Sequence, residues 1–151
     1  MIQQLRRVIL KKLEGSGMYK LYIFMRSDLD SLNAGKGMAQ AAHAANQFWA
    51  NCTKTRAMQE WAKDGGTFGT TIVLDAGEYS GQLHMLAPAL GIKGPLAYYA
   101  DCFGVVHDPT YPVLDGNVMH LVPLDTCAYF FDFGAPDEEA RKFLNSFKLY
   151  P

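Results

Sequence analysis

The chain has 151 residues, of which 49% are hydrophobic, 13% aromatic and 19% charged. That composition fits one folded domain and excludes a chain whose main state is disorder. The net charge of −1 hides a segregation: residues 1–66 hold ten Lys/Arg against five Asp/Glu, and residues 67–151 hold four against ten. A basic N-terminal half can face a polyanion, while the balanced total argues against a dedicated nucleic-acid module.

Residues 2–13 place Ile2, Leu5, Ile9 and Leu13 three and four positions apart, with Arg6, Arg7, Lys11 and Lys12 between them. This is the spacing of a short amphipathic helix. Gly15 and Gly17 then break it, so residues 1–17 read as an N-terminal appendage and residues 18–151 as the domain. The appendage lacks the unbroken apolar core of a signal peptide, and no run approaches the roughly 20 residues that cross a bilayer, so a soluble, unexported protein is expected. Cys52, Cys102 and Cys127 are odd in number and form no C-x-x-C pair, which suits reduced thiols in a cytoplasm and suggests no metal site.

Tyr19 to Arg26 reads as a buried strand, followed by a polar loop from Ser27 to Gly37. From Gly37 to Asn51, the residues Met38, Ala41, Ala42, Ala45, Phe48 and Trp49 recur at helical spacing and are expected to face the core. Lys36, Gln40, His43 and Gln47 form a polar ridge about opposite them. A second helix is expected over Thr55 to Lys63, ending at Asp64-Gly65-Gly66, then a strand over Thr70 to Leu74 and a third helix from Gly81 to Leu90. Leu96 to Ala100, Met119 to Leu124 and Cys127 to Phe133 read as strands, and Pro136 to Phe147 as a closing helix with acids in its first turn. Strands interleaved with helices predict an α/β three-layer sandwich around a small mixed sheet of four to five strands.

The stretch from Lys20 to Ala44 is the most informative, because a strand delivers Gly35-Lys36-Gly37 into a helix. Amides at a helix start attract anions, glycines admit a phosphate, and Lys36 adds a full charge. The earlier glycine and the hydroxyl residue of a Walker A loop are missing, so an NTPase is disfavoured. Cys102 with His107 can be drawn as a thiol and its base, although nothing in the spacing requires it. His84, His107 and His120 lack metal-ligand spacing.

Lys20, Arg26, Asp28, Leu29, Gly35, Lys36, Gln40, His43 and Ala44 together resemble the opening of the class II, archaeal- and eukaryotic-type, peptidyl-tRNA hydrolases: K-x-x-x-x-x-R-x-D-L, a loop, then G-K-x-A-x-Q-x-x-H-A. Trp61, Gly65 and Thr71 to Leu74, and the stretch from Gly134 to the end, resemble later blocks of that family. The resemblance implies that family's fold and hydrolysis of the ester between a peptide and the 3′ end of tRNA, with no metal or cofactor. It also implies Lys36 as the catalytic lysine, Asp101 of YYADCFG as the catalytic aspartate and His43 in support. Arg26, Asp28, Gly35, Gly37 and Gln40 are then expected at the substrate, with Thr110 and Thr126 standing in for the family's threonines. The sequence from Phe103 to Val118 departs from the pattern and reads as a long loop, which leaves a non-catalytic relative that binds a nucleotide, tRNA end or protein as the alternative. The family often pairs, so a homodimer is a further expectation, with Tyr129, Phe130 and Phe131 suited equally to core or interface.

Overall fold

A computed structural model describes residues 19–52, 55–92, 102–132 and 138–151. The expected N-terminal helix, the strand over Leu96 to Ala100 and Asp101 lie outside these residues. Four strands, β1 (Lys20–Met25), β2 (Thr71–Asp75), β3 (Phe103–Asp115) and β4 (Val118–Asp132), form one sheet in the order β2-β1-β4-β3. β1 and β2 run parallel, whereas β4 is antiparallel to both β1 and β3. The helices are α1 (Ala34–Asn51), α2 (Arg56–Thr67), a single turn α3 (Leu86–Ala89) and α4 (Glu138–Asn145). This is the mixed α/β sandwich expected from the sequence.

Two aromatic clusters hold the layers together, one on each face of the sheet. Because side chains alternate along a strand, Leu21 and Ile23 of β1 share one face with their partners Phe131 and Tyr129 of β4. On that face Phe48 of α1 meets Phe131 at 5.0 Å, Tyr129 at 5.7 Å and Trp61 of α2 at 5.5 Å between ring centroids. Gly69 lies directly under Trp61, where a Cβ would collide with the indole, and the Trp61 Nε1–H donates to the Thr70 carbonyl at 2.8 Å. On the opposite face Phe24 meets Phe147 edge-on at 5.0 Å, and Tyr79 and Phe143 extend the cluster at 5.5 Å. Tyr129, Phe130 and Phe131 are therefore buried in this chain's own core and do not offer an interface between copies.

Several elements differ from the sequence expectation for identifiable reasons. The third helix is split into the 3-10 turn Leu83–Met85 and α3, since a continuous helix would set Pro88 in its interior against the His84 carbonyl. α2 continues beyond Asp64 and unwinds through Gly66 and Thr67, both left-handed at φ 86° and 87°. The long loop is absent: residues 103–115 form β3, and the two strands expected near the C-terminus are one strand, β4. A two-residue turn, Gly116-Asn117, joins them, and Gly116 at φ 59° supplies the positive first position of a tight hairpin.

Candidate functional site

The site begins with how α1 starts. Asn33, in extended conformation, caps the helix by accepting the Lys36 N–H on its Oδ1 at 3.0 Å. Helical geometry thus opens at Ala34, three residues before the expected start, and Gly35-Lys36-Gly37 form its first turn. The Lys36 amide is already occupied by the cap. Gly37 admits a ring in place of a phosphate, because a Cβ there would meet Tyr150 at 3.3 Å. Gly35 remains exposed at the helix start.

The polar ridge of α1 does not point away from the protein. The buried residues are Gly37, Gln40, Ala44 and Phe48, while Met38 is 70% exposed and Trp49 43% exposed. At ~100° per residue the buried arc is turned by about a quarter turn from the apolar stripe toward the ridge. The reason is that β3 offers the ridge hydrogen-bond partners. Lys36 Nζ donates to the Pro112 carbonyl at 2.7 Å and lies 5.2 Å from the centre of the Tyr111 ring. Gln47 Nε2 donates to the Val105 carbonyl at 3.1 Å. α1 thereby supplies donors to the edge strand of the sheet.

Two compensating irregularities in the hairpin shape the floor beneath the ridge. Val106 pairs with Cys127 but His107 pairs with Asp125, so Thr126 is an extra residue on β4. Asp108 pairs with Leu124 and Tyr111 with Val122, so β3 carries an extra residue around Pro109-Thr110. A bulge re-aims side chains that strict alternation would send to opposite faces. Both Thr126 and Cys127 consequently reach α1: Thr126 Oγ1 donates to Gln40 Oε1 at 2.5 Å, and Cys127 Sγ donates to the Gln40 carbonyl at 3.4 Å. Burial pushes the Cys127 thiol up to about 12, which keeps it a protonated donor and not a nucleophile.

These bonds orient a carboxylate that the sequence reading passed over. Gln40 is 4% exposed, and with its Oε1 held by Thr126 its Nε2 donates to Asp108 Oδ2 at 2.7 Å. Asp108 Oδ1 accepts the Thr110 N–H at 2.9 Å and, more weakly, its hydroxyl at 3.4 Å. Desolvation pushes the pKa of Asp108 up, but the Thr110 amide, the Gln40 amide and the charge of His43 outweigh it, and the carboxyl sits below its ordinary value. Gln40 and Thr110 thus bond one carboxylate, His43 acts on it by its charge, and Thr126 reaches it through Gln40. A signal for it existed in His107-Asp108-Pro109-Thr110, since Asp followed two residues later by an amide it can accept is a turn-forming pattern.

Arg26 and Asp28 brace the site. The guanidinium holds Asp28 through two bonds of 2.8 Å and donates to the Asp125 carbonyl at 3.0 Å, beside the β4 bulge. The Arg26 guanidinium hydrogen-bonded to Asp28 holds that carboxyl below its usual range. The Arg26 amide adds a bond to the Thr126 carbonyl at 3.3 Å. Among the described residues no cluster of three metal-ligating side chains occurs, and no helix is long and apolar enough to cross a membrane.

Comparison with known families falls on this same framework. The family model described as peptidyl-tRNA hydrolase PTH2 matches residues 19–91, from β1 through the turn after α3. Residues 19–91, just under half of the chain, are similar to the peptidyl-tRNA hydrolase PTH2 family. No curated protein matches the chain. Within the hydrolase match lie Arg26, Asp28, Lys36, Gln40 and His43, whereas Asp108, Thr110 and Thr126 come from the hairpin beyond it. The matched segment and the hairpin therefore meet at Gln40.

Proposed function

We propose that the chain hydrolyses the ester between a peptide and the 3′ end of tRNA without a metal, with Asp108 as general base and Lys36 as electrophile. Asp108 takes a proton from water, and the oxygen attacks the ester carbonyl. The Lys36 ammonium offsets the charge that develops on the carbonyl oxygen. Collapse breaks the bond to the ribose oxygen, which recovers the proton from Asp108, leaving a free peptide and a tRNA with its hydroxyl restored. An oriented carboxylate and a fixed cation are the least an ester hydrolase needs.

One observation carries this reading: Asp108 is held by Gln40 and Thr110 against the helix that presents Lys36 and His43 within the matched family segment. Lys36 spends one of its three donors on Pro112, which leaves two for substrate. His43, exposed on the ridge and acting on Asp108 by its charge, is placed to meet the terminal adenosine or a phosphate. The test is multiple-turnover release of peptide from acylated bulk aminoacyl-tRNA with chelator present. Wild-type turnover should persist, and Lys36→Ala should lower kcat by about two orders of magnitude with the fold intact. A chain that binds tRNA at low salt but releases no peptide would belong to the non-catalytic alternative.

A further inference from the structure

Tyr150 reaches the site from the far edge of the sheet. The segment before it lies along β2, the edge strand opposite β3: the Asp75 amide donates to the Lys148 carbonyl at 2.9 Å, Leu74 pairs with Leu149, and the Tyr150 amide donates to the Val73 carbonyl at 3.0 Å. With its backbone so fixed, the side chain extends to the first turn of α1. There its Cε1 and its hydroxyl oxygen would each stand 3.3 Å from a Cβ on Gly37, the residue after Lys36. The side chain is half-buried, and Asp75 and Tyr111 act on it electrostatically. Lys36 Nζ lies over the ring of that same Tyr111.

The polar groups around it are spent on the protein. The Tyr111 hydroxyl is bonded to Ser31, the Lys36 amide to Asn33, Asp75 Oδ1 to the Gly77 amide, and Gln40 is divided between Thr126 and Asp108. The Tyr150 hydroxyl has no hydrogen-bond partner among the described residues. A half-buried hydroxyl that is held in place and left unpaired is a donor with a use elsewhere. We infer that it donates to the amide carbonyl next to the ester, on the peptide side of the substrate. This rests on the proposed function and follows from the order along α1: His43 meets the tRNA end, Lys36 the ester carbonyl, and Gly37 stands about 9 Å along the axis from His43, so the peptide leaves past Tyr150. An amide carbonyl accepts a hydrogen bond, whereas the free ammonium of an aminoacyl ester offers no acceptor, so the contact selects N-acylated substrates. Burial, then Asp75 and Tyr111, push the phenol above its ordinary value and keep it a donor.

Tyr150→Phe in the full chain keeps the ring against Gly37 and removes only the hydroxyl, and an unchanged denaturation midpoint confirms the fold. Its kcat/KM for N-acetyl-aminoacyl-tRNA should fall about three- to tenfold, while kcat/KM for the same aminoacyl-tRNA without the acetyl group stays at the wild-type value. Equal falls on both substrates, which a merely structural role would give, or no change on either, would overturn the inference. A binding arm separates this result from the fate of the proposed function. Puromycin and N-acetylpuromycin, which carry an amide in place of the ester, are compared by calorimetry. Wild type should bind the acetylated compound more tightly, and Tyr150→Phe should bind the two alike. That pattern in a chain that releases no peptide would remove the hydrolase reading and keep the inference; equal wild-type affinity for the two compounds would contradict it.

Discussion

The two ends of β4 share a partner and a hairpin, yet they live in different environments. Residues 126–132 are all buried, sandwiched between α1 and the aromatic cluster around Phe24; 127–132 pair with β1, and 127–130 pair with β3 as well. Residues 118–125 pair with β3 alone, and Val118, Met119 and Leu121 are largely exposed, as is Leu114 opposite them. The candidate site sits where one regime becomes the other, at the bulges of Thr126 and Pro109-Thr110. A two-stranded ribbon is marginal by itself, and the body steadies its base through Lys36 on Pro112, Gln40 on Asp108 and the Ser31 hydroxyl on Tyr111 at 3.2 Å. Stability thus concentrates in the inner half, and the groups proposed to react occupy the boundary.

Substitutions can break that contrast. The largest loss of stability should come from Phe48→Ala, which empties the space between Tyr129, Phe131 and Trp61 and should cost about 3–5 kcal/mol in chemical denaturation. Next is Gln40→Leu, which strands the buried Thr126 hydroxyl and removes a donor from Asp108; a stability loss of about 1–3 kcal/mol should accompany a fall in kcat. The Asp108 carboxyl should also titrate higher in this variant, moving the acid limb of the pH–rate profile upward.

In the wild type the low value of Asp108 gives the sign of the pH effect. Its contribution to stability is complete above the ordinary carboxylate value and is lost as pH falls through the lower folded value. Activity should persist on the acid side to a pH below the ordinary carboxylate range, as a pH–rate profile would record. The smallest effect belongs to the outer ribbon: Leu121→Ser should change the denaturation midpoint by no more than about 0.5 kcal/mol equivalent, and a large loss would mean that the exposed face is covered in solution.

Legibility in the sequence followed the same boundary. β1, β2, α1 and α2 could be read because their periodicity is a local signal, although α1 starts at its Asn33 cap, three residues before the expected position. The position of Lys36, Gln40 and His43 on one ridge was also legible, but its direction was not. Gln40 is buried because Thr126 and Asp108 satisfy its amide from 86 and 68 residues away, and helical spacing carries no trace of such partners. The hairpin was hidden by Pro109 and Pro112, which argue against a central strand and are tolerated on an edge strand beside a bulge. Asp115-Gly116 was the turn signal that could have revealed it. Asp101, which the resemblance points to through the aspartate of the family's D-A-G-x-T segment, lies outside the described residues, and among those the carboxylate bonded to the ridge is Asp108.

The most direct measurement is single-turnover peptide release by Asp108→Asn beside Asp101→Asn, each checked for a native denaturation profile. The account predicts a loss of about two orders of magnitude or more for Asp108→Asn and a rate near wild type for Asp101→Asn. Full activity in Asp108→Asn would contradict it, and loss confined to Asp101→Asn would move the base to that residue.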